Sequence, residues 1–309
     1  MTNAIVPADQ EIQQSKVNII EMYLASIDVK PKTKETYRRA LKRFMEWLRD
    51  NSIIQPNRAD ILAYKGYLMA NFTACTVSSY LTAVKGLYIY LEAEKISPNI
   101  ANGIKGAKHQ QGFKKDPLTV EQAKNVLIEI DTKDITGLRD YAIINLLIRT
   151  GLRTIEIERA NIEDIRQQAG EALLYIQGKG RDSKDDFVLL TEATLKPIRD
   201  YIKARGKTKP ADPLFISHSN KNYGGRLTTR SISRIVKDNL REAGIDSERI
   251  TAHSLRHTAV TLSLIGGATI QEAQSMARHK NINTTLIYAH NINRIKQAPE
   301  RIIDNLLSV

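Results

Sequence analysis

The chain has 309 residues, 42% of them hydrophobic and 26% charged, which is typical of a globular protein with about two domains. Its formal net charge of +12 at pH 7 favours a polyanionic partner such as nucleic acid, although a merely basic globular protein would carry the same charge. No apolar run reaches the roughly 18 residues of a membrane-spanning helix, no basic-then-apolar signal sequence is present, and the single cysteine excludes a disulfide scaffold. We therefore expect a cytoplasmic protein without a membrane partner, in which Cys75 is a small buried side chain.

Four helices are predicted in the first hundred residues, because apolar residues recur at helical spacing over residues 11–27, 33–51, 58–70 and 73–94. We therefore expect residues 1–105 to form a small helical bundle. Lysines and arginines cluster on its second helix, and we interpret the cluster as a surface for phosphate-backbone contact, the alternative being a solvated helix face. The predicted DNA-binding residues of this domain are Lys34, Arg38, Arg39, Lys42, Arg43 and Lys85.

Helical periodicity fades between residues 97 and 117, where prolines and glycines alternate with lysines. We predict an interdomain linker over residues 106–117, followed by a second domain over residues 118–309. A basic linker between two DNA-binding domains could lie along a duplex and let the domains close around it.

The second domain begins with a helix that Thr119 opens, since Gln122 stands at the capping-box spacing. A buried helix over residues 141–148 follows and leads into Gly-Leu-Arg, whose arginine is Arg153. Glu156 stands three residues further on, a spacing that by itself most often marks a surface ion pair.

The β-rich stretch runs from residue 161 to residue 190, with strands predicted over residues 172–177 and 186–191. The turn between them holds Lys179 between two glycines, where a lysine is ordinarily solvated. Helices are then predicted near residues 193–204 and 228–243. Arg226, Arg230, Arg234 and Lys237 make the later helix a candidate DNA-facing element, with Arg230 and Arg234 as its predicted contacts.

The stretch from Thr251 to His290 concentrates side chains that can perform chemistry. His253, Arg256 and His257 stand at i, i+3 and i+4, so they share one face of a helix. Two glycines after Ile265 end that helix.

Two further helices complete this stretch. The first opens with a capping-box pattern at Thr269 and ends in a polar turn that contains His279. Asn283 or Thr284 can cap the last helix, which carries Tyr288. Imidazole, guanidinium and phenol groups therefore converge, which indicates a site rather than a core.

These residues resemble the signature of the tyrosine recombinases, also called the phage integrase family. The family pattern is His-x-x-Arg, a His some two dozen residues later and a Tyr nine residues beyond it; His253, Arg256, His279 and Tyr288 match it in order and spacing. The family commonly has Leu-Gly before the later His, where this chain has Ala277-Arg278. We expect this difference to change the local turn and not the chemistry.

The resemblance implies a mainly α fold with a small β-sheet, consisting of an N-terminal helical core-binding (SAM-like) DNA-binding domain and an α+β catalytic domain. It makes Arg153 the first catalytic arginine, Glu156 its acidic support, and Lys179 a general acid in the minor groove, with Lys184 as the local competitor. His257 is expected to hydrogen-bond within its helix or to orient a catalytic partner. The implied catalytic set is Arg153, Lys179, His253, Arg256, His279 and Tyr288, with Glu156 and His257 in support.

The implied reaction is strand breaking and rejoining without metal, ATP or cofactor. Planar guanidinium groups suit the non-bridging phosphate oxygens, and the lysine can protonate the leaving 5′ oxygen. Attack by Tyr288 leaves a 3′-phosphotyrosine, which retains the bond energy for religation. A free tyrosine has a pKa of about 10, and we expect the neighbouring positive charges to favour the phenolate.

The resemblance also implies partners: double-stranded DNA with inverted-repeat recombination sites, and a homo-tetramer on synapsed sites. Apolar residues at positions 302, 303, 306 and 307 predict a short C-terminal helix, within about residues 294–309. In the family such a segment docks into the neighbouring protomer, whereas docking on its own domain is the alternative.

Other readings of the same residues were open. A zinc hydrolase helix would need Glu after His253, where Ser254 stands, and the basic neighbours would repel a cation. A type IB topoisomerase uses the same residue types, but the His279-to-Tyr288 spacing and the helical tail favour a recombinase. A DNA-binding protein that has lost catalysis is disfavoured because every catalytic position is filled.

Within the family, we favour integration and excision of a mobile element by a compact integrase, because the Ala-Arg-His and Tyr-Ala-His-Asn runs resemble that group. Xer-type chromosome or plasmid dimer resolution is the alternative.

Overall fold

A computed structural model describes residues 18–108, 115–178, 180–296 and 299–307. They form two compact units, one within residues 1–111 and the other within residues 112–309. The helices of the first unit are α1, described over residues 18–26, α2 (Pro31–Asp50), α3 (Arg58–Asn71) and α4 (Ala74–Ala93). The predicted helical bundle is confirmed, and the part of the first predicted helix before residue 18 lies outside the described residues.

The core of the first unit lies between α2, α3 and α4. The buried face of α2 holds Ala40, Leu41, Phe44 and Leu48, at the spacing of one helical stripe. The ring of Phe44 lies 4.9 Å from that of the fully buried Tyr64, centroid to centroid. Burying this stripe leaves the basic residues of α2 at its other faces. In contrast to our expectation, Cys75 is exposed, because the buried stripe of α4 begins at Val77.

The second unit is built around α6 (Ile135–Thr150), whose apolar residues are buried on almost every side. It packs against α8 (Glu192–Arg205) and α10 (Ala252–Ile265). The other helices of this unit are α5 (Val120–Glu129), α7 (Thr154–Arg159), α9 (Thr229–Glu242), α11 (Ile270–Ala277), α12 (Asn283–Lys296) and α13 (Pro299–Leu307). The capping boxes predicted at Thr119 and Thr269 are both formed. No helix in the described ranges is long and apolar enough to cross a membrane.

A three-stranded antiparallel sheet of order β1-β2-β3 lies beside these helices, with β1 (Ile165–Gln168), β2 (Glu171–Ile176) and β3 (Asp186–Leu189). Leu174 of β2 pairs with Ile165 on one side and Val188 on the other. The prediction contained β2 and β3 but missed β1, since Arg166, Gln167 and Gln168 are exposed and show no alternation of apolar and polar residues.

The turn between β1 and β2 has positive φ at both central residues, 50° at Ala169 and 82° at Gly170. Such turns match the twist of a hairpin but usually carry Asn or Asp at the first of these positions. Because Ala169 occupies this position instead of Asn or Asp, the sequence does not show the usual pattern of a hairpin turn.

The corner between α6 and α7 sets the position of Arg153. Gly151 ends α6 in the left-handed region, with φ of 61°. A Cβ at this position would lie 3.2 Å from the Cβ of Ala259 on α10, so a glycine lets α10 pass close to the corner. The chain then turns directly into α7, which the sequence had not indicated as a separate helix.

Candidate active site

Three aromatic side chains from α10, the α11–α12 turn and α12 meet at one place. The rings of His257 and Tyr288 are 5.4 Å apart, and those of His279 and Tyr288 are 6.2 Å apart and stacked, centroid to centroid. His253 lies one helical turn before His257, and their rings are 4.6 Å apart. His253 is exposed, whereas Tyr288 is 4% exposed. The predicted face of α10 therefore runs from the surface down to the phenol.

The Tyr288 hydroxyl and Nδ1 of His257 share a short hydrogen bond. Burial raises the pKa of Tyr288 to about 12, and the opposing effect of Arg256 is smaller. The positive charge of Arg256 favours the phenolate, as expected, but the loss of solvent around the phenol outweighs it, so the net shift is upward.

The buried His257 and the half-buried His279 are both neutral at pH 7. Burial, followed by the charges of His253, Arg256 and His279, lowers the pKa of His257 to about 4. Burial, followed by Arg256 and other cations, lowers the pKa of His279 to about 4 as well. A neutral imidazole has one nitrogen free of a proton, so Nδ1 of His257 can accept the Tyr288 proton in the tautomer protonated at Nε2.

The turn that carries His279 is held at both ends. Nδ1 of His279 and the buried Thr285 hydroxyl are 2.9 Å apart, within hydrogen-bond distance. Nε2 of Gln274 donates to the His279 carbonyl at 3.0 Å. These contacts join the end of α11 to the first turn of α12.

Arg256 is 2% exposed and connects three elements. Its Nη1 donates to the carbonyl of Gly151 at the α6–α7 corner, and its Nη2 donates to the carbonyl of Ala277 at the end of α11. Burial lowers the pKa of Arg256 to about 10, so the guanidinium remains charged at neutral pH. Two nitrogens of the Arg256 guanidinium thus hold the α6–α7 corner and the end of α11 in place beside α10.

Arg153 and Glu156 form a half-buried pair, unlike the surface pair that their spacing alone favours. Nη1 of Arg153 donates to Oε1 of Glu156 at 2.9 Å, and the Arg153 backbone N–H donates to Oε2 at 2.8 Å. The Glu156 side chain is fully buried, whereas the Arg153 side chain is 30% exposed. The carboxylate therefore anchors an arginine whose other end reaches the surface.

Arg278 is a site residue that the sequence analysis missed. It caps α11 in the left-handed region, with φ of 54°, which is the conformation that a glycine would adopt there. Its Nη2 donates to Oε2 of Glu156 at 3.0 Å, and its Nη1 donates to the Met276 carbonyl at 2.7 Å. The departure from Leu-Gly thus keeps a glycine-like turn and adds a guanidinium to the site. The signal in the sequence was an arginine at a position where the family commonly has glycine, the residue that best tolerates a left-handed conformation.

Of the two lysines in the β2–β3 turn, Lys184 is the one whose contacts the structure describes. Lys179 lies outside the described residues. Lys184, its predicted competitor, donates from Nζ to Oδ2 of the buried Asp164 at 2.6 Å. Gly178, which precedes Lys179, accepts a hydrogen bond from Nη1 of Arg159 at 3.2 Å, which connects the start of the turn to α7.

The predicted DNA-binding residues of the first unit include several that already have partners. Arg38 makes two hydrogen bonds of 2.7 Å to Glu21. Arg39 contacts Glu35 at 3.5 Å, and the Arg43 guanidinium lies over the Phe72 ring at 5.2 Å. The three predicted lysines of this unit are at least partly exposed: Lys34, Lys42 and Lys85.

The structure separates the four basic residues predicted for this helix into two pairs, and it places Arg226 before the start of α9. Arg230 and Arg234 are exposed. Arg226 donates to the backbone carbonyls of residues 158 and 160, and Lys237 pairs with Asp246 at 2.9 Å. The second pair therefore supports the fold, and Arg230 and Arg234 stay available for a partner.

Over the described ranges, no three His, Cys, Asp or Glu side chains are arranged so that they could hold a metal ion.

Sequence profiles of two families match the chain. The profile described as "Phage integrase family" matches residues 117–294, and that described as "Phage integrase, N-terminal SAM-like domain" matches residues 21–95. Tyrosine recombinase XerA of Pyrococcus furiosus is 30% identical over 292 residues, which cover 94% of this chain and 96% of the relative. Tyrosine recombinase XerC of Caldanaerobacter subterraneus is 35% identical over 208 residues, and the match covers 66% of this chain but only 55% of that relative.

Solved structures share the fold. XerH recombinase bound to a palindromic difH substrate, in a post-cleavage complex, gives a TM-score of 0.73 at 21% identity, over 97% of this chain and 90% of that one. A lambda integrase (75-356) dimer bound to a COC′ core site gives a TM-score of 0.70 at 18% identity, over 89% of this chain and 94% of that one. At these identities the likeness establishes a common architecture.

Proposed function

The chain belongs to the phage integrase family of tyrosine recombinases, enzymes that cut and rejoin DNA strands, and from this premise we propose that it recombines specific DNA sites through a 3′-phosphotyrosyl intermediate. One observation carries the proposal: the Tyr288 hydroxyl is hydrogen-bonded to a neutral His257, in a site that also holds Arg153 and Arg256. A phenol, a proton acceptor and fixed positive charge are the groups that phosphoryl transfer to tyrosine requires.

In the proposed reaction, the Tyr288 oxygen attacks the scissile phosphorus while its proton passes to Nδ1 of His257. The bond from phosphorus to the 5′ oxygen breaks, and Lys179 gives that oxygen a proton. Arg153 and Arg256 stabilise charge on the non-bridging oxygens, with His253 and His279 as further hydrogen-bond donors. A hydroxyl of another strand then attacks the phosphotyrosine and completes the exchange.

We further propose that residues 1–105 are the core-binding domain, residues 106–117 the basic linker and residues 118–309 the catalytic domain. The exposed basic residues of α2 and α9 are the proposed phosphate contacts, and the net charge of +12 supports this assignment. A DNA substrate also supports the expected cytoplasmic location.

Two biological roles remain as candidates. We favour integration and excision of a mobile element, and a transposon integrase in complex with transposon right end DNA is among the structural neighbours. Xer-type dimer resolution is the second candidate, supported by relatives named XerA, XerC and XerD. A lambda integrase tetramer on a Holliday junction has the same fold, which supports assembly of this chain as a homo-tetramer on inverted-repeat sites.

The test is covalent trapping of DNA. Wild-type protein incubated with fragmented genomic DNA from its host should retain 3′-linked fragments after denaturation, and their sequences would separate a mobile-element end from a chromosomal or plasmid resolution site. On a nicked duplex that carries the recovered site, Tyr288→Phe should bind DNA yet form no adduct. Tyr223→Phe is the matched control, since Tyr223 is 71% exposed in the same unit. An undiminished adduct in Tyr288→Phe would end the assignment.

Metal independence is tested in the same assay. The proposed charge stabilisation comes from arginine and lysine side chains, so adduct formation should survive excess EDTA. Activity that is lost on chelation and restored by Mg²⁺ would contradict this part of the proposal.

A further inference from the structure

Arg278 occupies a backbone conformation that is unfavourable for its residue type. With φ of 54° it is one of four described non-glycine residues at positive φ. Such a position costs free energy for a residue that has a Cβ, and it persists where the surrounding structure compensates for that cost. The side-chain contacts of Arg278 are what can compensate for this backbone strain.

The side chain of Arg278 points into the protein and is 10% exposed. It donates to Oε2 of Glu156, while Arg153 donates its guanidinium Nη1 to Oε1 and its backbone N–H to Oε2. One buried carboxylate is thus shared between two guanidinium groups. Because each guanidinium carries a full charge, the trio keeps a net positive charge.

The way in which the two Glu156 oxygens are shared determines how many guanidinium donors of Arg153 remain available. An arginine and a carboxylate ordinarily prefer a bidentate pair, with two parallel N–H···O bonds. Here Oε2 is occupied by Arg278 and by the Arg153 backbone, so Glu156 binds one nitrogen of the Arg153 guanidinium. Without Arg278, Oε2 would be open to a second bond from that guanidinium, and Arg153 would lose donors and net charge to the carboxylate.

We propose that Arg278 is a positioning residue for DNA cleavage: by holding Oε2 of Glu156, it prevents a bidentate Arg153–Glu156 pair and keeps the remaining donors of Arg153 for the scissile phosphate. This inference rests on the proposed function of the site. It assigns to position 278 an effect on the chemical step, which a change of local turn alone would not have.

The experiment measures single-turnover adduct formation on the nicked duplex that carries the recovered site, at saturating protein. Arg278→Lys and Arg278→Met share the backbone strain and differ in charge. Arg278→Met should react roughly 10- to 100-fold more slowly than wild type with an unchanged DNA Kd, as expected for a misplaced catalytic group. Arg278→Lys should regain much of the rate, because an ammonium can still occupy Oε2.

Two glycine variants control for the backbone strain at positive φ. Arg278→Gly relieves the positive φ that Arg278→Met retains, so its Tm should exceed that of Arg278→Met while its cleavage rate falls to the same extent. Ala169→Gly relieves the same strain in the exposed β1–β2 turn, where φ is 50°, and should leave the cleavage rate unchanged.

A double-mutant comparison decides whether the effect runs through Glu156. In a Glu156→Gln background no carboxylate can capture Arg153, so adding Arg278→Met should cost less than it does alone. Equal losses in both backgrounds, or a wild-type rate in Arg278→Met, would overturn the inference while the proposed function stands. A wild-type protein that forms no adduct while it binds the duplex would refute the proposed function, and this inference with it.

Discussion

The Tyr288 hydroxyl is buried beside an imidazole, and this placement determines how the nucleophile can be activated. With a pKa of about 12, the phenol is ionised to a negligible extent at neutral pH. In the proposed reaction it must therefore lose its proton to a partner during attack, and neutral His257 is hydrogen-bonded to it. In the proposed reaction, the arginines act on the phosphate charge and the histidine acts on the phenol proton.

The pKa of His257 predicts a pH-dependent stability. Its folded-state pKa of about 4 lies below the unfolded value of 6.5, so between these values the unfolded chain binds a proton that the native protein does not. The His257 contribution to the free energy of unfolding is therefore fully present above pH 6.5 and decreases as pH falls toward 4, by about 3 kcal/mol in all. Denaturant titrations at several pH values measure this slope.

His257→Gln removes the titrating group and keeps a polar side chain beside Tyr288. Its free energy of unfolding should depend less steeply on pH between 6.5 and 4 than that of wild type, by up to one proton. If His257→Gln and wild type have parallel curves, His257 is not buried in its neutral form.

At the scale of elements, the turn between β2 and β3 carries two lysines five residues apart, Lys179 and Lys184, to which we assign different tasks. Lys184 compensates the buried Asp164. Removing it leaves a buried carboxylate without its cation, and we expect Lys184→Met to lower the free energy of unfolding by about 1.5–3 kcal/mol. Lys179→Met should slow adduct formation, because in the proposed reaction Lys179 gives the leaving 5′ oxygen its proton.

A substrate with a 5′-bridging sulfur distinguishes these two tasks, because a thiolate leaves without needing a proton. Cleavage of this substrate by Lys179→Met should be close to that of wild type. If the sulfur instead restores Lys184→Met and leaves Lys179→Met inactive, the general acid is Lys184.

The helices were predictable because local rules determine them. Thr119 and Thr269 begin helices with complete capping boxes, and Gly151 ends α6 at a left-handed residue. Strand β1 and the short helix α7 were not predictable, since exposed polar residues in one and six residues in the other carry too little periodicity.

Residue spacing along the chain likewise indicated which side chains would meet, but not what each would touch. The face of α10 and the interval from His279 to Tyr288 placed the aromatic groups together. Burial of the phenol and the sharing of Glu156 between two arginines depend on packing between elements far apart in sequence, which spacing does not contain.

At the scale of the whole molecule, α13 is the element whose apolar side chains are not accounted for within the described chain. Ile303, Leu306 and Leu307 are 53%, 80% and 72% exposed. A helix of nine residues does not persist by itself in water, so an apolar face of this kind requires a docking surface. The resemblance to the family implies that this surface belongs to a neighbouring protomer, with docking on the same chain as the alternative.

Deletion of residues 297–309 should therefore leave binding to a single DNA site nearly intact and prevent synapsis and recombination. The same result should follow from Leu306→Ser combined with Leu307→Ser, which keeps the length of the chain and removes most of the apolar face. Arg301→Ala, also exposed on α13, is the matched control and should recombine normally. Gel-shift affinity on one site, compared with recombination yield on paired sites, separates the two steps. A truncated chain that unfolds, or that loses single-site binding, would show that α13 packs against its own domain, because a helix that docks only on a neighbour contributes nothing to an isolated protomer.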